Sequence, residues 1–124
     1  MAGIFTVARQ NRRYDGDPCH RLESVRFLAK AGQIRFTNRA LKEDAPRVLP
    51  RTVLDHVGMI RAIVRTLSRD QWRFAEEDEK GWVDVYRVEK YNRTLWVKIK
   101  VEQRHARDSV IVISFHEWDD STPI

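Results

Sequence analysis

The sequence predicts an α+β fold in which helices come first and a four-stranded antiparallel sheet follows. Apolar residues recur at helical spacing in the first half of the chain, and from Gln71 onward the period changes to two. This order of elements favours helices packed on one face of the sheet, which leaves the other face free to bind. The clearest helical stripe consists of Val53, Val57, Ile60, Val64 and Leu67.

Capping residues mark where each helix should begin and end. A first helix follows Leu22, and Gly32 stands where its C-terminal cap would be. Thr37 is a candidate N-cap for a short helix that runs through Ala45, after which Pro46 and Pro50 should end it. Thr52 is the candidate cap of the long helix, whose outer arginines we expect to be solvated.

Four segments alternate with a period of two and predict the strands. They cover residues 71–74, 82–88, 95–101 and 109–116, with an acidic loop at 76–80, a hairpin at Asn92 and a connection at 104–108. The short segment 33–36 is either a connector or a brief strand. We divide the chain into a flexible arm (1–19), a domain (20–118) and a tail (119–124).

Composition limits the partner and the compartment. The chain has 124 residues, a net charge of +5 and a pI near 9.7, which favours an anionic partner. Its one cysteine, Cys19, allows no intrachain disulfide and no cysteine-rich zinc site. No stretch is apolar enough for a signal peptide or a membrane span, so we expect a cytoplasmic protein.

Alternation along the last two strands predicts a basic, aromatic face. Trp96, Lys98 and Lys100 alternate with a core set of Leu95, Val97, Ile99 and Val101. In the last strand, Ile111, Ile113 and Phe115 are predicted to be core, which leaves Val112, Ser114 and His116 on the opposite face. Cations, indoles and a histidine on one sheet face suit RNA as the partner.

His116 is the most suggestive titratable residue, since an imidazole gives or takes a proton near neutral pH. An exposed histidine without a role is the alternative. The acidic residues that follow His116 match no zinc or calcium pattern, so we predict no metal. The sequence also lacks a phosphate-binding loop, a serine elbow and a zinc-protease motif.

Four short motifs, which occur in the order seen in that family, resemble the MqsR family of mRNA interferase toxins. The resemblance covers about residues 20–118. It implies a RelE-like fold and a type II toxin that cuts mRNA without metal or cofactor, by attack of a ribose 2′-hydroxyl on the adjacent phosphate. The motifs are Ala31-Gly-Gln-Ile-Arg-Phe-Thr-Asn-Arg-Ala-Leu41, Trp82-x-Asp-Val-Tyr86, Trp96-Val-Lys-Ile99 and Val112-Ile-Ser-Phe115.

Carried over by position, the resemblance changes four catalytic side chains. The family's first-strand lysine falls at Arg73, and the lysine that follows the last-strand Ser-Phe falls at His116. The family's tyrosine falls at Trp96 and its glutamine at Val83. Arg73 would then stabilise charge, His116 would act as general acid or base, and Trp96 could only stack. Placing Val83 on this face conflicts with its apolar character, and the sequence leaves that conflict open.

The first hypothesis is therefore an endoribonuclease toxin acting on mRNA. Arg73 and His116 carry the chemistry with Trp96 beside them, and a second set of residues binds RNA. The resemblance implies a cognate antitoxin, with a joint DNA-binding repressor complex and a role for the ribosome as open options. The alternatives are a non-catalytic RNA- or antitoxin-binding module and a structural domain whose basic face contacts an acidic protein. The RNA-binding set is Trp72, Arg87, Lys98 and Lys100.

Overall fold

A mixed sheet of six strands is the centre of the computed structural model, which describes residues 12–50, 55–78, 81–104 and 106–117. The strands are β1 (Arg12–Tyr14), β2 (Ile34–Phe36), β3 (Trp72–Asp78), β4 (Gly81–Lys90), β5 (Arg93–Arg104) and β6 (Arg107–Glu117). Their order is β1-β3-β4-β5-β6-β2, and every pair is antiparallel except β2 with β6.

The α+β class is confirmed, but the expected four-stranded antiparallel sheet is wrong. Each of the two additional strands, β1 and β2, is three residues long. A segment of that length is too short to show a period of two. The brief strand that the sequence offered as one option for 33–36 is β2, whereas β1 was not predicted. Because β2 runs parallel to β6, the sheet is mixed.

Helical segments precede the long strands, as predicted. They are α1 (Leu22–Lys30), a π-helix (Arg39–Asp44) that continues directly as α2 (Ala45–Val48), α3 (His56–Val64) and a 3-10 turn (Arg69–Gln71). In the described part of the chain, no helix is long and apolar enough to cross a membrane.

The helix ends follow the predicted residues except at Pro46 and at the start of α3. Gly32 has a φ of 82° just after α1, the left-handed conformation that favours glycine. The Thr37 hydroxyl accepts from the Ala40 amide at 3.1 Å, as an N-cap does. Pro46 does not end its helix, because it lies in the first turn of α2, where a proline is tolerated. Asp55 caps α3, while the predicted cap Thr52 lies outside the described residues.

Arg61 joins the two main helices and is not the solvated residue that the spacing predicts. Its Nε donates to the Ala29 carbonyl at 2.8 Å and its guanidinium donates to the Lys30 carbonyl at 2.7 Å. Both carbonyls lie in the last turn of α1, where no amide four residues further along completes the helical pattern, and the Ala29 carbonyl also accepts from the Gly32 amide at 3.2 Å. Of the predicted stripe on α3, Ile60 and Val64 are buried, whereas Val57 is 41% exposed.

The core lies between the helices and one sheet face, here called the helix face. Val25, Ile60 and Val64 meet Tyr86 and Phe115 there, all of them fully buried. The predicted alternation of β5 is confirmed, with Leu95, Val97 and Ile99 in this core.

A bulge in the β5–β6 pairing changes the predicted faces of β6. Lys98 pairs with Ser114 but Ile99 pairs with Val112, so Ile113 is an extra residue. As a result Val112 lies in the core and Ile111 lies on the opposite face, contrary to the alternation read from the sequence. Phe115 returns to the core beyond the bulge.

The end of the expected N-terminal arm is tied to the sheet. Residues 1–11 lie outside the described residues, but Arg12–Tyr14 form β1 against β3. The Cys19 and His20 amides then donate to the buried Asp84 carboxylate at 2.8 and 2.9 Å. Within the expected arm (1–19), residues 12–14 therefore pair with the sheet and residue 19 is hydrogen-bonded to it.

Candidate active site on the distal face

The sheet face turned away from the core, here called the distal face, carries both apolar and charged side chains. Phe74, Val85 and Trp96 form an apolar cluster of its own on this face, and the Phe74 and Trp96 rings lie 6.2 Å apart. Val83 shares this face because it lies two residues from Val85 on the same strand. The conflict over Val83 is resolved: it lies on the distal face and is nevertheless 2% exposed.

Three side chains form a row across the distal face. Arg87 on β4 pairs with Trp96 on β5, and Trp96 pairs with His116 on β6. Directly opposed residues in antiparallel strands hold their Cβ atoms about 5 Å apart. The indole of Trp96 therefore lies between a guanidinium and an imidazole.

His116 is half-buried in this row, on the face predicted for it. Burial lowers its pKa below the ordinary 6.5; the charges of Lys98 and Arg39 act in the same direction, and Asp44 opposes them. Its buried Nδ1 has no hydrogen-bond partner among the described residues. Near neutral pH the imidazole is thus uncharged and able to accept a proton.

Arg73 borders the row but does not reach His116. It is the extra residue of a bulge between Trp72 and Phe74, and its guanidinium donates to the Asp70 and Trp72 carbonyls at 2.8 and 3.2 Å. It lines a shallow pocket with Arg87, which places it on the distal side. Three strand spacings, roughly 14 Å, separate its strand from that of His116. The two groups share a face without converging on one point.

Trp72 lies in the core, where the sequence had suggested a base-stacking residue. It is 4% exposed, and its indole N–H donates to the Asp84 carboxylate at 3.0 Å. The guanidinium of Arg69 covers the ring at 4.6 Å. A ring enclosed in this way cannot stack on a base. Trp96 lies on the predicted face, but at 6% exposure it forms a floor for the row and does not project from it.

The predicted phosphate-binding cations each contact a carboxylate. Lys98 pairs with Glu76 at 3.2 Å and Lys100 pairs with Glu102 at 3.0 Å. Arg87 lies 3.7 Å from Glu89, whose side chain is 76% exposed. Part of the positive charge on this face is therefore neutralised within the protein. Lys98 and Lys100 do lie on the distal face as their alternation predicted.

Two basic residues near the row were missed by sequence reasoning. Arg39 belongs to the π-helix and is close enough to affect the pKa of His116; its side chain is 66% exposed and lies 3.8 Å from Asp44. Arg13 reaches the distal face through β1, and its guanidinium lies 4.4 Å from the centre of the Phe74 ring. Arg39 stands within the motif 31–41, which was the available signal, whereas nothing in the sequence placed Arg13 on the sheet.

The described residues bring together no three His, Cys, Asp or Glu side chains that could hold a metal ion. The available chemistry is that of one neutral imidazole beside several guanidinium and ammonium groups. Such a set can accept a proton and stabilise a negatively charged oxygen.

Comparison with known proteins assigns the chain to a family. The sequence profile of the MqsR toxins, described as "Motility quorum-sensing regulator, toxin of MqsA", matches residues 17–117. The chain belongs to the MqsR toxin family. No curated protein matches it. The match confirms the resemblance and begins after β1, so this strand is contributed by residues that precede the family domain.

The residues that the MqsR resemblance singled out can now be located on the distal face. Arg73, Val83, Trp96 and His116 are the positions at which the resemblance led us to expect the catalytic side chains. All four lie on or border this face. Val83 is four residues along β4 from Arg87, roughly 13 Å from the row, and is buried opposite Glu76 of β3.

Proposed function

We propose that this MqsR-family chain is a metal-independent endoribonuclease that cleaves mRNA and thereby inhibits translation and growth. The observation that carries the proposal is the row of Arg87, Trp96 and His116 on the distal face, in which burial holds the imidazole neutral. A neutral base beside fixed cations is the minimal requirement for 2′-hydroxyl attack on a phosphodiester.

In the proposed reaction, His116 accepts the proton of the 2′-hydroxyl as its oxygen bonds to phosphorus. The bond from phosphorus to the 5′-oxygen then breaks, and that oxygen takes a proton from solvent. The products are a 2′,3′-cyclic phosphate and a free 5′-hydroxyl. Arg87, on the other side of Trp96 from His116, and Arg39 would stabilise the charge on the phosphorane oxygens, since guanidinium groups match phosphate geometry.

Arg73 occupies a separate position in this scheme. At roughly 14 Å from the strand of His116, it would bind a neighbouring phosphate of the same RNA and not the scissile one. Lys98 and Lys100 would contact further phosphates after exchanging their carboxylate partners for RNA. Trp96 would provide the apolar floor that keeps His116 poorly solvated.

The family description names the toxin of MqsA, which supports a protein antitoxin as the natural partner. We propose that a cognate antitoxin neutralises this chain. The same proposal allows a repressor complex of toxin and antitoxin on DNA, and cleavage that requires the ribosome. Coexpression with the product of a neighbouring gene, followed by co-purification and recovery of growth, tests the antitoxin directly.

The test of the nuclease is cleavage of a single-stranded mRNA segment by purified protein in the presence of EDTA. We expect products that end in a 2′,3′-cyclic phosphate. His116→Ala should lower kcat by about 10²–10⁴-fold, which is the usual contribution of a general base. His56→Ala is the matched control, because His56 lies on α3 at the other side of the sheet. Equal cleavage by the His116 and His56 variants would refute the assignment.

A second candidate function is a binding module without nuclease activity. It is favoured by the burial of Val83 and Trp96, because two positions that are polar in the family's mechanism are here apolar and 2% and 6% exposed. RNA binding by wild-type protein, with no cleavage and no growth arrest on expression, would select this candidate.

A further inference from the structure

A second basic site lies at the far end of the distal face from His116. Arg35 on β2 and the two residues Arg104 and Arg107 line an open pocket of about 530 Å³, together with Gln33 and Ser109. Arg104 and Arg107 are the last Cα partners of the β5–β6 hairpin. Their positions share the face of Lys100 and Ile111, since each lies an even number of residues away.

The charges in this pocket are not balanced by the described residues. Glu102 is shared between Lys100 at 3.0 Å and Arg35 at 3.4 Å, and no described carboxylate pairs with Arg104 or Arg107. The hydrogen bond and charge of Lys100, with Arg35 adding to them, lower the pKa of Glu102. One carboxylate therefore serves two cations, and two exposed guanidinium groups carry unneutralised charge.

The Arg104–Arg107 pair is unfavourable for the isolated fold. Like charges placed directly opposite in an antiparallel pair destabilise it. Ala106 between them has a φ of 61°, a left-handed conformation that alanine adopts reluctantly. A hairpin that pairs two arginines directly across its strands is suited to an anion that binds both.

We propose that Arg35, Arg104 and Arg107 form a phosphate-binding site for the backbone of single-stranded RNA, several nucleotides from the scissile bond. The proposal rests on the proposed function, because it takes the RNA bound at His116 as the strand that continues to this pocket. Arg107 and His116 are nine residues apart on β6, roughly 30 Å at about 3.4 Å per residue. Lys98 and Lys100 lie between the two ends and continue the basic track.

The site predicts that RNA length matters. An RNA of about four nucleotides reaches only the row at His116, whereas one of about 12 nucleotides can also reach the arginine pocket. The long RNA should bind wild-type protein more tightly, and only this added affinity should depend on the pocket. Sequence preference should not change, because phosphate contacts carry no base information.

The deciding experiment compares Arg104→Gln/Arg107→Gln with wild type, using both RNA lengths. The double variant should bind the long RNA about 10-fold more weakly, and the slope of log affinity against log salt should fall by about 1.4 for two lost phosphate contacts. Binding and cleavage of the short RNA should be unchanged. Arg104→Lys/Arg107→Lys should retain most of the affinity, because it keeps the charge.

The matched control is Arg26→Gln/Arg65→Gln, which removes the same charge from an exposed residue of α1 and an exposed residue just after α3. An equal loss in this control, or unchanged long-RNA binding by the pocket variant, would overturn the site. Loss of binding to poly-glutamate with RNA binding intact would also overturn it and assign the pocket to an acidic protein. If wild-type protein cuts no RNA, the nuclease proposal fails, while the binding comparison still decides the pocket.

Discussion

Trp96 and His116 face each other across the β5–β6 pairing on the distal face of the sheet. The indole is 6% exposed and belongs to the apolar cluster with Phe74 and Val85, so the imidazole borders a poorly hydrated surface. Poor hydration disfavours the charged form of a histidine. Trp96 stands where the resemblance led us to expect a tyrosine. Its burial therefore favours the uncharged form of His116, the residue proposed as the base.

The first prediction concerns the pH dependence of cleavage. The pKa of His116 lies below 6.5. In a plot of log(kcat/KM) against pH, the midpoint of the acid limb should therefore lie below pH 6.5, and the rate should be constant through neutral pH. The measurement is steady-state cleavage between about pH 4.5 and 8.5, with an NMR titration of the imidazole beside it. An acid limb above 6.5 would contradict this account of His116.

The same pKa shift predicts a change in stability. The unfolded chain, with its ordinary histidine pKa, binds a proton more readily than the folded chain does. His116 should therefore make the folded state less stable as pH falls from 6.5 through the lower folded pKa, and this loss should be absent at neutral pH. Urea unfolding at several pH values measures it, and His116→Gln should remove this part of the dependence.

The second prediction separates the two arginines beside the row. Arg87→Ala should lower kcat by roughly 10-fold or more, because Arg87 is the cross-strand neighbour of Trp96 and is proposed to stabilise charge on the reacting phosphate. Arg73→Ala should mainly raise KM, since its guanidinium is held by two backbone carbonyls at the bulge. Single-turnover cleavage at saturating RNA distinguishes the two effects. If Arg73→Ala lowers kcat more than Arg87→Ala does, then Arg73, and not Arg87, stabilises the charge at the scissile phosphate.

The third prediction concerns the ion pair that occupies Lys98. Glu76→Gln should strengthen RNA binding severalfold, because it frees the ammonium group from a carboxylate at 3.2 Å and removes a negative charge from the face. Fluorescence anisotropy with labelled RNA at two salt concentrations measures the change. Glu43→Gln, an exposed helix position, controls for net charge alone. If both variants gain equally, Lys98 does not contact RNA.

The fourth prediction concerns the buried carboxylate of Asp84. Asp84→Ala should lower the free energy of unfolding by about 3 kcal/mol, because it leaves one buried and two partly buried donors without their acceptor. Those donors are the amides of Cys19 and His20 and the indole of Trp72. Asp108→Ala, an exposed position on β6, should change it by less than about 0.5 kcal/mol. Urea unfolding decides between them, and similar values would show that Asp84 does not anchor the segment.

Sequence reasoning succeeded where a local pattern has one physical cause. The alternation of β5, the turn at Asn92 and the cap at Gly32 were all predicted, because face, hairpin and left-handed backbone each depend on a few neighbouring residues. His116 was placed on the correct face although the bulge at Ile113 inverted the assignments of Ile111 and Val112. A bulge depends on pairing with another strand, which a single segment does not reveal.

Long-range contacts explain the remaining misses. Trp72 was predicted to bind RNA, but its indole meets Asp84, twelve residues further along the chain. Arg39 comes near His116 only through the π-helix, and Arg13 reaches the distal face only through the edge strand β1. Both positions follow from tertiary pairing. Likewise, the carboxylates that neutralise Lys98 and Lys100 became visible only with the strands in register.

Asp44 has a consequence for how the chain behaves in a crowded cell. Its carboxylate accepts a hydrogen bond from the Phe115 amide at 2.9 Å. This amide lies beyond Val112, the last residue of β6 that pairs with β2. A free amide there would invite the backbone of another molecule to extend the ladder and begin an aggregate. By occupying that donor with a side chain, the fold discourages edge-to-edge stacking of one copy on the next.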